Sequence, residues 1–264
     1  MTMDTRPTSV AGMFYPREPR HLEQLLAKFF SGERPQVEAM GIVSPHAGYV
    51  YSGETAGCAF RSISSDFQGT FIVIGPSHQG FLTSASAIPW ETPLGILETD
   101  RELVEAFDIT IDEISHRYEH SLETQMPFIK YRFPRARIAP IMMGDQDKES
   151  AHTLAEAVLK AIKETGREIR IVASSDFSHY VPEAMAKKND LYAIDALKSL
   201  NIAEFYRRIA EREATTCGYG PISVMCMVSE GQGATAGHLL KYTTSGDVTG
   251  DYASVVGYAA IAVE

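Results

Sequence analysis

Residues 137–175, RIAPIMMGDQDKESAHTLAEAVLKAIKETGREIRIVASS, decide the fold class of this chain. The middle of the stretch has an amphipathic helical pattern that ends at Gly166, and an apolar run typical of a buried strand stands on each side of it. A strand, a helix and a strand in this order form a β-α-β unit, whose strands are parallel and whose helix packs on one face of the sheet. The stretch therefore predicts an α/β protein.

The rest of the chain continues the alternation of helices and strands. Further helices are predicted at residues 17–32, 54–63 and 221–232, and one or two more within residues 182–213. The first of these has an apolar stripe formed by Leu22, Leu25, Leu26, Phe29 and Phe30. Residues 242–248 and 252–264 predict two strands joined by a turn rich in Gly and Asp. A chain of 264 residues fits one α/β domain, so we expect a single domain over residues 1–264.

Composition and charge argue against several classes of protein. The formal net charge is -10 and the chain has no run of Lys or Arg, so it lacks the basic surface that nucleic-acid binding requires. No apolar stretch approaches the length of a bilayer span, and the first residues lack the apolar centre of a signal peptide. The three cysteines form no CxxC pair. We therefore expect a cytoplasmic protein without disulfides that binds neither nucleic acid nor a membrane.

Histidine and acidic residues follow the ends of three predicted strands. His46 follows the run GIVS, His78 follows FIVIG, and Asp176 and His179 follow IRIVASS. In open α/β sheets, ligands bind outside the carboxyl ends of the strands. We therefore expect these four side chains at one edge of the sheet, where two neutral imidazoles can bind one metal ion. The structural alternative for either histidine is a ring held by backbone groups within a loop.

The pattern of strand ends does not identify the third ligand of such a metal. Asp176 or His179 could supply it, and so could Cys217, which lies in a Gly-rich turn before a predicted helix whose dipole favours a thiolate. Asp176 could instead cap a helix that follows it. Cys58 and Cys226 lie within apolar helical patterns and are interpreted as small buried hydrophobic residues.

His120 and Glu123 form a further pair, three residues apart at the start of a helix. Together with His116 they could form a second metal pair, or Glu123 could complete a capping box with an upstream serine. We favour a capping role, or a role in supporting the ligands, over direct ligation by this pair.

Six motifs in order give the chain a resemblance to the Memo family. They are an N-terminal arm, PHAGYVYSG, GPSH, EHSLE, SSDFSH and CGYGPI, and the arm consists of Arg6 followed by Ala11, Gly12, Phe14 and Tyr15. Each motif alone is weak, but the ordered set covers nearly the whole chain, which is therefore identified as a member of this family. The family resembles the class III extradiol dioxygenases of the LigB type. This resemblance implies a mixed or mostly parallel central sheet flanked by helices, with a metal at one edge.

The resemblance also implies that His46, His78 and Cys217 bind one metal ion. The extradiol dioxygenases hold iron(II) with two histidines and a carboxylate, so a cysteine in the third position is a departure. A thiolate favours copper(I), zinc or a more covalent iron site, and ring cleavage does not follow from the fold alone. Iron or copper is the expected metal, with zinc as the alternative.

Four other residues are implied to line the pocket. His179, oriented by Asp176, would transfer protons, while Phe14 and Tyr51 would bind the substrate at the mouth of the pocket. Phe14 stands where animal members have a tryptophan, which keeps an aromatic wall without its hydrogen-bond donor. His120 and Glu123 would support this pocket.

The sequence is compatible with two functions. The first is a metal-dependent redox or oxygenase-like enzyme that acts on a small molecule of unknown identity. The second is a non-catalytic binding module that uses the same pocket for a phosphorylated peptide or a small ligand, since animal members of the family are associated with recognition of phosphorylated tyrosine peptides.

Overall fold

A sheet of eight strands organises the computed structural model, which describes residues 4–264. The strands are β1 (Gly41–Ser44), β2 (Thr70–Pro76), β3 (Ser84–Ala85), β4 (Trp90–Thr92), β5 (Gly95–Leu97), β6 (Arg137–Met143), β7 (Ile169–Ser174), β8 (His179–Val181), β9 (Gly237–Thr244) and β10 (Val255–Val263). Strands β4 and β5 form a separate hairpin. The sheet has the order β3-β6-β2-β7-β1-β10-β8, and β9 also pairs with β10. The central strands β6, β2, β7 and β1 are parallel, and the outer strands are antiparallel to their neighbours. The predicted α/β fold with a mixed sheet is confirmed.

Helices cover both faces of this sheet. They are α1 (Pro19–Phe30), α2 (Tyr49–Arg61), α3 (Arg101–Ala106), α4 (Glu113–His116), α5 (His120–Glu123), α6 (Met126–Arg132), α7 (Lys148–Thr165), α8 (Glu183–Asp195), α9 (Ile202–Arg212), α10 (Tyr219–Gly231) and α11 (Gly246–Thr249), with a 3-10 helix at Ala196–Ser199. Over residues 4–264, no helix has both the length and the apolar character that crossing a membrane requires.

The β-α-β unit forms as its sequence predicts. Strand β6, helix α7 and strand β7 follow one another, and both strands run parallel to β2, which lies between them. Helix α7 begins after Asp147, whose carboxylate accepts hydrogen bonds from the backbone N–H groups of Glu149 and Ser150. It ends at Gly166, whose φ of 63° lies in the left-handed region that glycine adopts readily. Local sequence therefore defines both ends of this helix.

Alternation along the strands separates two hydrophobic cores. On β2, Ile72 and Ile74 face the layer that contains α7 and α10, whereas Phe71 and Val73 face the layer that contains α1, α2 and α6. All four side chains are fully buried, and burial of one such side chain contributes about 1.5–3 kcal/mol. The two cores fix the strand register, because a shift by one residue would exchange the two faces.

Helix α2 starts earlier than its sequence predicts. It begins at Tyr49 instead of near Glu54, so Tyr49 and Tyr51 belong to its first turn. The backbone N–H of Tyr49 donates a hydrogen bond of 2.8 Å to the carbonyl of Phe14 in the N-terminal arm. This contact joins residues far apart in the chain, so the local pattern could not reveal it.

The C-terminal strands are also displaced from their predicted bounds. Strand β9 runs from Gly237 to Thr244, where it pairs with β10, and the residues after it form α11. The Asp247 carboxylate of α11 accepts a hydrogen bond from the backbone N–H of Thr244. Cys58 in α2 and Cys226 in α10 are buried, as predicted.

The parallel strands end along one edge of the sheet. Ser44 of β1 pairs with Ser174 of β7, and β2 and β6 end together at Pro76 and Met143. The loops that leave β1, β2 and β7 therefore start side by side, which brings together residues that are up to 130 positions apart in the chain, as in the contact between His46 and Asp176.

Candidate metal centre

Three histidine rings meet at this edge. His46, His78 and His120 each offer one ring nitrogen, and these nitrogens all lie within 4.8 Å of one another. The ring centroids are 5.2 Å apart for His46 and His78, 5.4 Å for His46 and His120, and 4.4 Å for His78 and His120. His46 is buried and the other two rings are partly exposed. A ligand can therefore approach the cluster from solvent.

The hydrogen bonds of His46 determine its tautomer. The hydroxyl of Ser174 donates its one proton to the carbonyl of Ser121 at 2.5 Å. Its oxygen must therefore accept from the Nδ1–H of His46, which is 2.9 Å away. The Nε2 lone pair of His46 therefore faces Sγ of Cys217, 3.2 Å away, on the side where a metal ion could bind. Burial and the two neighbouring imidazoles lower the pKa of His46 well below its usual range, so the ring is neutral.

Glu119 orients the ring of His78 through a hydrogen bond at Nδ1, as Ser174 does for His46. Its carboxylate accepts from the Nδ1–H of His78 at 2.9 Å and from the backbone N–H of His78 at 2.8 Å. Burial opposes ionisation of Glu119, but these hydrogen bonds and one from the backbone of Ser121 outweigh it and lower the pKa of Glu119 to about 2. An ionised carboxylate only accepts hydrogen bonds, so Nδ1 of His78 carries a proton and Nε2 is the nitrogen that a metal ion could bind. Carboxylate support of this kind orients metal-binding histidines in proteins.

His120 belongs to the cluster itself. It is the first residue of α5, its Nδ1 lies 3.5 Å from Oε1 of Glu119, and its ring centroid is 4.9 Å from that of Phe14. Burial and His78 lower the pKa of His120. The sequence argument gave His120 only a supporting role, because a capping box at Glu123 was a sufficient explanation of the pair. Glu119 was missed altogether, although an acidic residue next to a histidine in the EHSLE motif was a usable signal.

Glu123 anchors the N-terminal arm. Its carboxylate accepts hydrogen bonds from Nη1 of Arg6 at 2.6 Å and from the hydroxyl of Tyr15 at 2.7 Å. It also accepts from the backbone N–H groups of Ser9 and Val10. The capping-box interpretation of Glu123 is therefore wrong, since Glu119 caps α5.

Arg6 completes this anchor. Both it and Glu123 are fully buried, and its guanidinium lies 4.1 Å from the centre of the Trp90 ring. It also donates to the carbonyls of His116 and Glu119 at 3.0 Å. The arm that carries Phe14 is thus tied to the same short segment, residues 116–123, that supplies Glu119 and His120.

Cys217 lies beside His46, outside the group of three rings. Its Sγ is 3.2 Å from Nε2 of His46 and accepts a hydrogen bond of 3.2 Å from the backbone N–H of Asp176. The sequence argument favoured a thiolate through the dipole of α10, which begins at Tyr219. Burial and the Asp176 carboxylate instead raise the pKa of Cys217. A bound cation would favour ionisation of this thiol.

Asp176 lies on the loop after β7 and His179 is the first residue of β8, and no hydrogen bond joins their side chains. The Asp176 carboxylate accepts from the backbone N–H of His46 at 2.8 Å, and burial raises the pKa of Asp176 to about 6. No helix follows it directly, so the helix-cap alternative is wrong. His179 is held by Thr215, whose carbonyl accepts from Nδ1–H of the ring at 2.9 Å. The expected orientation of His179 by Asp176 is thus replaced by orientation through Thr215.

Phe14 and Tyr51 line a common cavity of about 600 Å³. Arg17, His21 and Gly48 contribute to the same walls. Because the Phe14 ring also contacts His120, this cavity adjoins the histidine cluster.

The donor set fits a transition-metal ion. Nitrogen ligands lie about 2.0–2.1 Å from zinc and similar ions, which places them about 3.4 Å apart in a tetrahedral site. The three imidazole nitrogens, within 4.8 Å of one another, need only small ring rotations to reach this spacing. Two of these rings have Nδ1 engaged, which leaves Nε2 for a metal ion, and a soft sulfur donor stands 3.2 Å from one of them. Neutral imidazole and thiolate suit zinc, copper and iron better than magnesium or calcium.

The fold and this cluster together define a class: an α/β protein with a histidine-rich candidate metal centre at the carboxyl edge of a parallel sheet. Comparison with known proteins narrows the class. Residues 6–262 match the family described as "Memo-like protein". The chain belongs to the Memo family, which confirms the resemblance seen in its motifs. It is 44% identical to a MEMO1 family protein of Methanosarcina barkeri, over 98% of this chain and 100% of that protein. It is 45% identical to one of Methanococcoides burtonii over the same shares, and 44% identical to one of Archaeoglobus fulgidus over 97% and 98%.

His116, the remaining histidine of this region, is fully buried and provides a pH-dependent prediction. Its Nε2 lies 3.2 Å from the carbonyl of Ser84, and burial lowers the pKa of His116 to about 4. The folded pKa lies below the unfolded value of about 6.5, so the unfolded state binds more protons between these values. The stability that His116 contributes is therefore complete above pH 6.5 and is lost as the pH falls towards 4.

We expect His116→Gln to remove this part of the pH dependence, because glutamine can keep the hydrogen bond to Ser84 but does not titrate. Between pH 7 and pH 4 the free energy of unfolding of the wild type should fall by about 3 kcal/mol more than that of the variant. Urea unfolding at a series of pH values measures the difference. Since Asp176 and His46 titrate equally in both proteins, parallel curves for the two would contradict the prediction.

Proposed function

We propose that this protein is a metal-dependent redox or oxygenase-like enzyme that acts on a small molecule. His46, His78 and Cys217 are its proposed metal ligands, iron or copper the proposed metal, and zinc the alternative. The observation that supports this most directly is the pair of Nε2 lone pairs on His46 and His78, each fixed by a hydrogen bond at Nδ1, with Sγ of Cys217 3.2 Å from Nε2 of His46. Cys217 is proposed as the third ligand because the motif resemblance implies it, and His120 stands next to this set as a further donor.

Each residue of the site would have a separate role. A bound iron or copper ion would supply one-electron exchange with oxygen or with a substrate. Ser174 and Glu119 hold the two histidines in the tautomers that ligation needs. His179 donates its Nδ1–H to Thr215, so its Nε2 remains available to accept or deliver a proton at a ligand in the pocket. Phe14 and Tyr51 would contact the body of the substrate and exclude water from it.

Oxygen consumption by the metal-loaded protein tests this function. Protein loaded with iron(II) or copper and freed of unbound metal should consume oxygen in the presence of ascorbate. We expect Cys217→Ala to lower the rate by at least about 10-fold, because it removes a proposed ligand. Cys226→Ala is the matched control, since Cys226 is a buried cysteine within α10 and outside the cluster. Equal rates for the wild type and Cys217→Ala would contradict the role of this cysteine.

A second experiment tests whether the protein cleaves the ring of simple catechols. Because a cysteine replaces the carboxylate of the dioxygenase ligand set, we expect no ring opening of catechol by the iron(II)-loaded protein. Catechol cleavage at a rate comparable to the oxygen consumption would show that the thiolate does not exclude that reaction.

The cavity between the arm and α2 supports a second candidate, a binding module. This cavity of about 600 Å³ is formed without a metal, and Arg17 on its wall offers a cationic group to a phosphorylated peptide. If the metal-loaded protein shows no redox turnover but binds a phosphotyrosine peptide at micromolar concentration, the enzyme proposal fails and the binding module replaces it.

A further inference from the structure

Gln125 is a fully buried glutamine between α5 and α6, and only the nitrogen of its amide has protein partners. Its Nε2 donates to the carbonyl of Pro45 at 3.0 Å and to Oγ of Ser174 at 2.9 Å. Its Oε1 is buried and has no partner among residues 4–264. The amide cannot be turned over, because Oε1 in place of Nε2 would face the Pro45 carbonyl with no proton between the two oxygens. The fold therefore uses this side chain as a donor.

The first acceptor of Gln125 lies in the peptide group that carries His46. The carbonyl of this group belongs to Pro45, and its N–H, which belongs to His46, donates to the Asp176 carboxylate at 2.8 Å. Gln125 and Asp176 thus hold the two polar groups of one peptide plane. The position of the His46 backbone follows from these two bonds.

The second acceptor, Ser174, binds the ring of His46. Its hydroxyl donates its one proton to the carbonyl of Ser121 at 2.5 Å and accepts from Nδ1–H of His46 at 2.9 Å. With the bond from Gln125, the proton and both lone pairs of this hydroxyl are in use. The hydroxyl is therefore fixed from three sides, and the ring of His46 is fixed with it.

Loss of the Gln125 donor would weaken this arrangement. Ser174 would keep two partners instead of three, and it could rotate until its hydroxyl donates to Nδ1 of His46. That hydrogen bond requires the ring proton on Nε2, and in this tautomer Nε2 has no lone pair for a metal ion.

We propose that Gln125 is a positioning residue of the metal centre: it holds the Pro45–His46 peptide and the Ser174 hydroxyl so that Nε2 of His46 keeps its lone pair. Gln125 has no hydrogen bond to the ring and acts through Ser174 and Pro45. The inference rests on the proposed function in naming a metal as what His46 binds, whereas the tautomer of the ring can be measured without a metal.

Nitrogen NMR of the metal-free protein tests the effect of Gln125 on the ring. Gln125→Met keeps the length of the side chain and removes both donated hydrogen bonds. At about pH 8, where an ordinary histidine is neutral, His46 of the wild type should show one tautomer, with its proton on Nδ1. Gln125→Met should add a second tautomer, with the proton on Nε2. A single Nδ1–H tautomer in the variant, or an Nε2–H tautomer in the wild type, would overturn the proposal.

Thr70→Val is the matched control. Thr70 is the buried first residue of β2, at the end of the strand opposite to the candidate centre, and its hydroxyl donates to the Asp100 carboxylate at 2.7 Å. The variant loses a buried hydrogen bond and should keep the single tautomer of His46. A second tautomer in Thr70→Val as well would assign the effect to a general loss of stability and contradict a specific role of Gln125. Circular dichroism checks each fold, and Gln125→Leu, which also lacks a donor, is used if Gln125→Met does not fold.

Zinc binding tests the consequence for the metal centre. In competition with a chromogenic chelator, Gln125→Met should bind one equivalent of zinc at saturation with an affinity lowered by about 10- to 100-fold, and Thr70→Val should match the wild type. Equal affinity of Gln125→Met and the wild type would refute the positioning role. A wild type that binds no zinc, iron or copper but shows the Gln125-dependent change of tautomer would contradict the proposed enzyme, while the orienting role of Gln125 towards His46 would stand.

Discussion

His46→Ala and His78→Ala are each expected to remove stoichiometric metal from the protein while the fold remains intact. In the wild type, Nε2 of each histidine points into the cluster. Either alanine variant therefore lacks one metal ligand, and no neighbouring side chain occupies the same position. Complete loss is the criterion, because a residue that only supports a ligand changes metal affinity by about 10- to 100-fold. Elemental analysis after anaerobic purification measures the metal, and circular dichroism checks the fold.

A matched control comes from His152, an exposed histidine of α7 that pairs with Glu156 on the same helix. His152→Ala should retain the metal content of the wild type. Full metal content in both His46→Ala and His78→Ala would show that the metal, if any, binds elsewhere.

The third ligand is decided by comparing Cys217→Ala with His120→Ala. We expect Cys217→Ala to lose the metal, whereas His120→Ala should keep a full equivalent at saturating metal with an affinity lowered by about 10- to 100-fold. The opposite result, loss in His120→Ala and retention in Cys217→Ala, would establish a centre of three histidines, which is the set that lies within 4.8 Å in the structure. A count of reduced thiols in each sample excludes oxidation of Cys217 as the cause.

Glu123→Ala should produce the largest loss of stability. Arg6 and Glu123 pair at 2.6 Å with side chains that are 0% and 1% exposed, so the substitution leaves a buried guanidinium without its counter-charge. It also removes the acceptor of Ser9, Val10 and Tyr15. Breaking a buried ion pair from one side costs about 3–5 kcal/mol. Urea unfolding at pH 7 measures the change in the free energy of unfolding.

Two further variants keep this prediction testable. Glu105→Ala breaks the exposed pair between Arg101 and Glu105 and should have no measurable effect, because water already solvates both charges. If Glu123→Ala does not fold, Glu123→Gln still offers an acceptor oxygen and should fold with an intermediate stability. In both Glu123 variants, limited proteolysis should cut the arm around Phe14 faster than in the wild type. A Glu123→Ala protein as stable and as protected as the wild type would show that the anchor contributes nothing.

The sequence predicted a large part of the fold and the position of the site. Helix α7 is readable because its N-cap Asp147, its apolar stripe and Gly166 are all local signals. His46 and His78 were placed at one edge because each follows a buried strand, and parallel strands share their carboxyl edge. The starts of α2 and β9 were not predicted, since a contact with Phe14 stands at the first and pairing with β10 defines the second.

Apolar periodicity and strand-end position, which are properties of short segments, thus predicted the α/β class and the edge at which His46, His78, Asp176 and His179 would gather. The ordered motifs identified the family, and the resemblance implied Cys217. Only the tertiary structure decided that His120 joins the cluster, that Glu119 holds His78, and that Glu123 binds Arg6 across 117 positions of sequence. The free energy of such a pair depends on the distance between its atoms and on how much water burial removes from them. Neither quantity exists until the segments have packed together, so no local pattern encodes them.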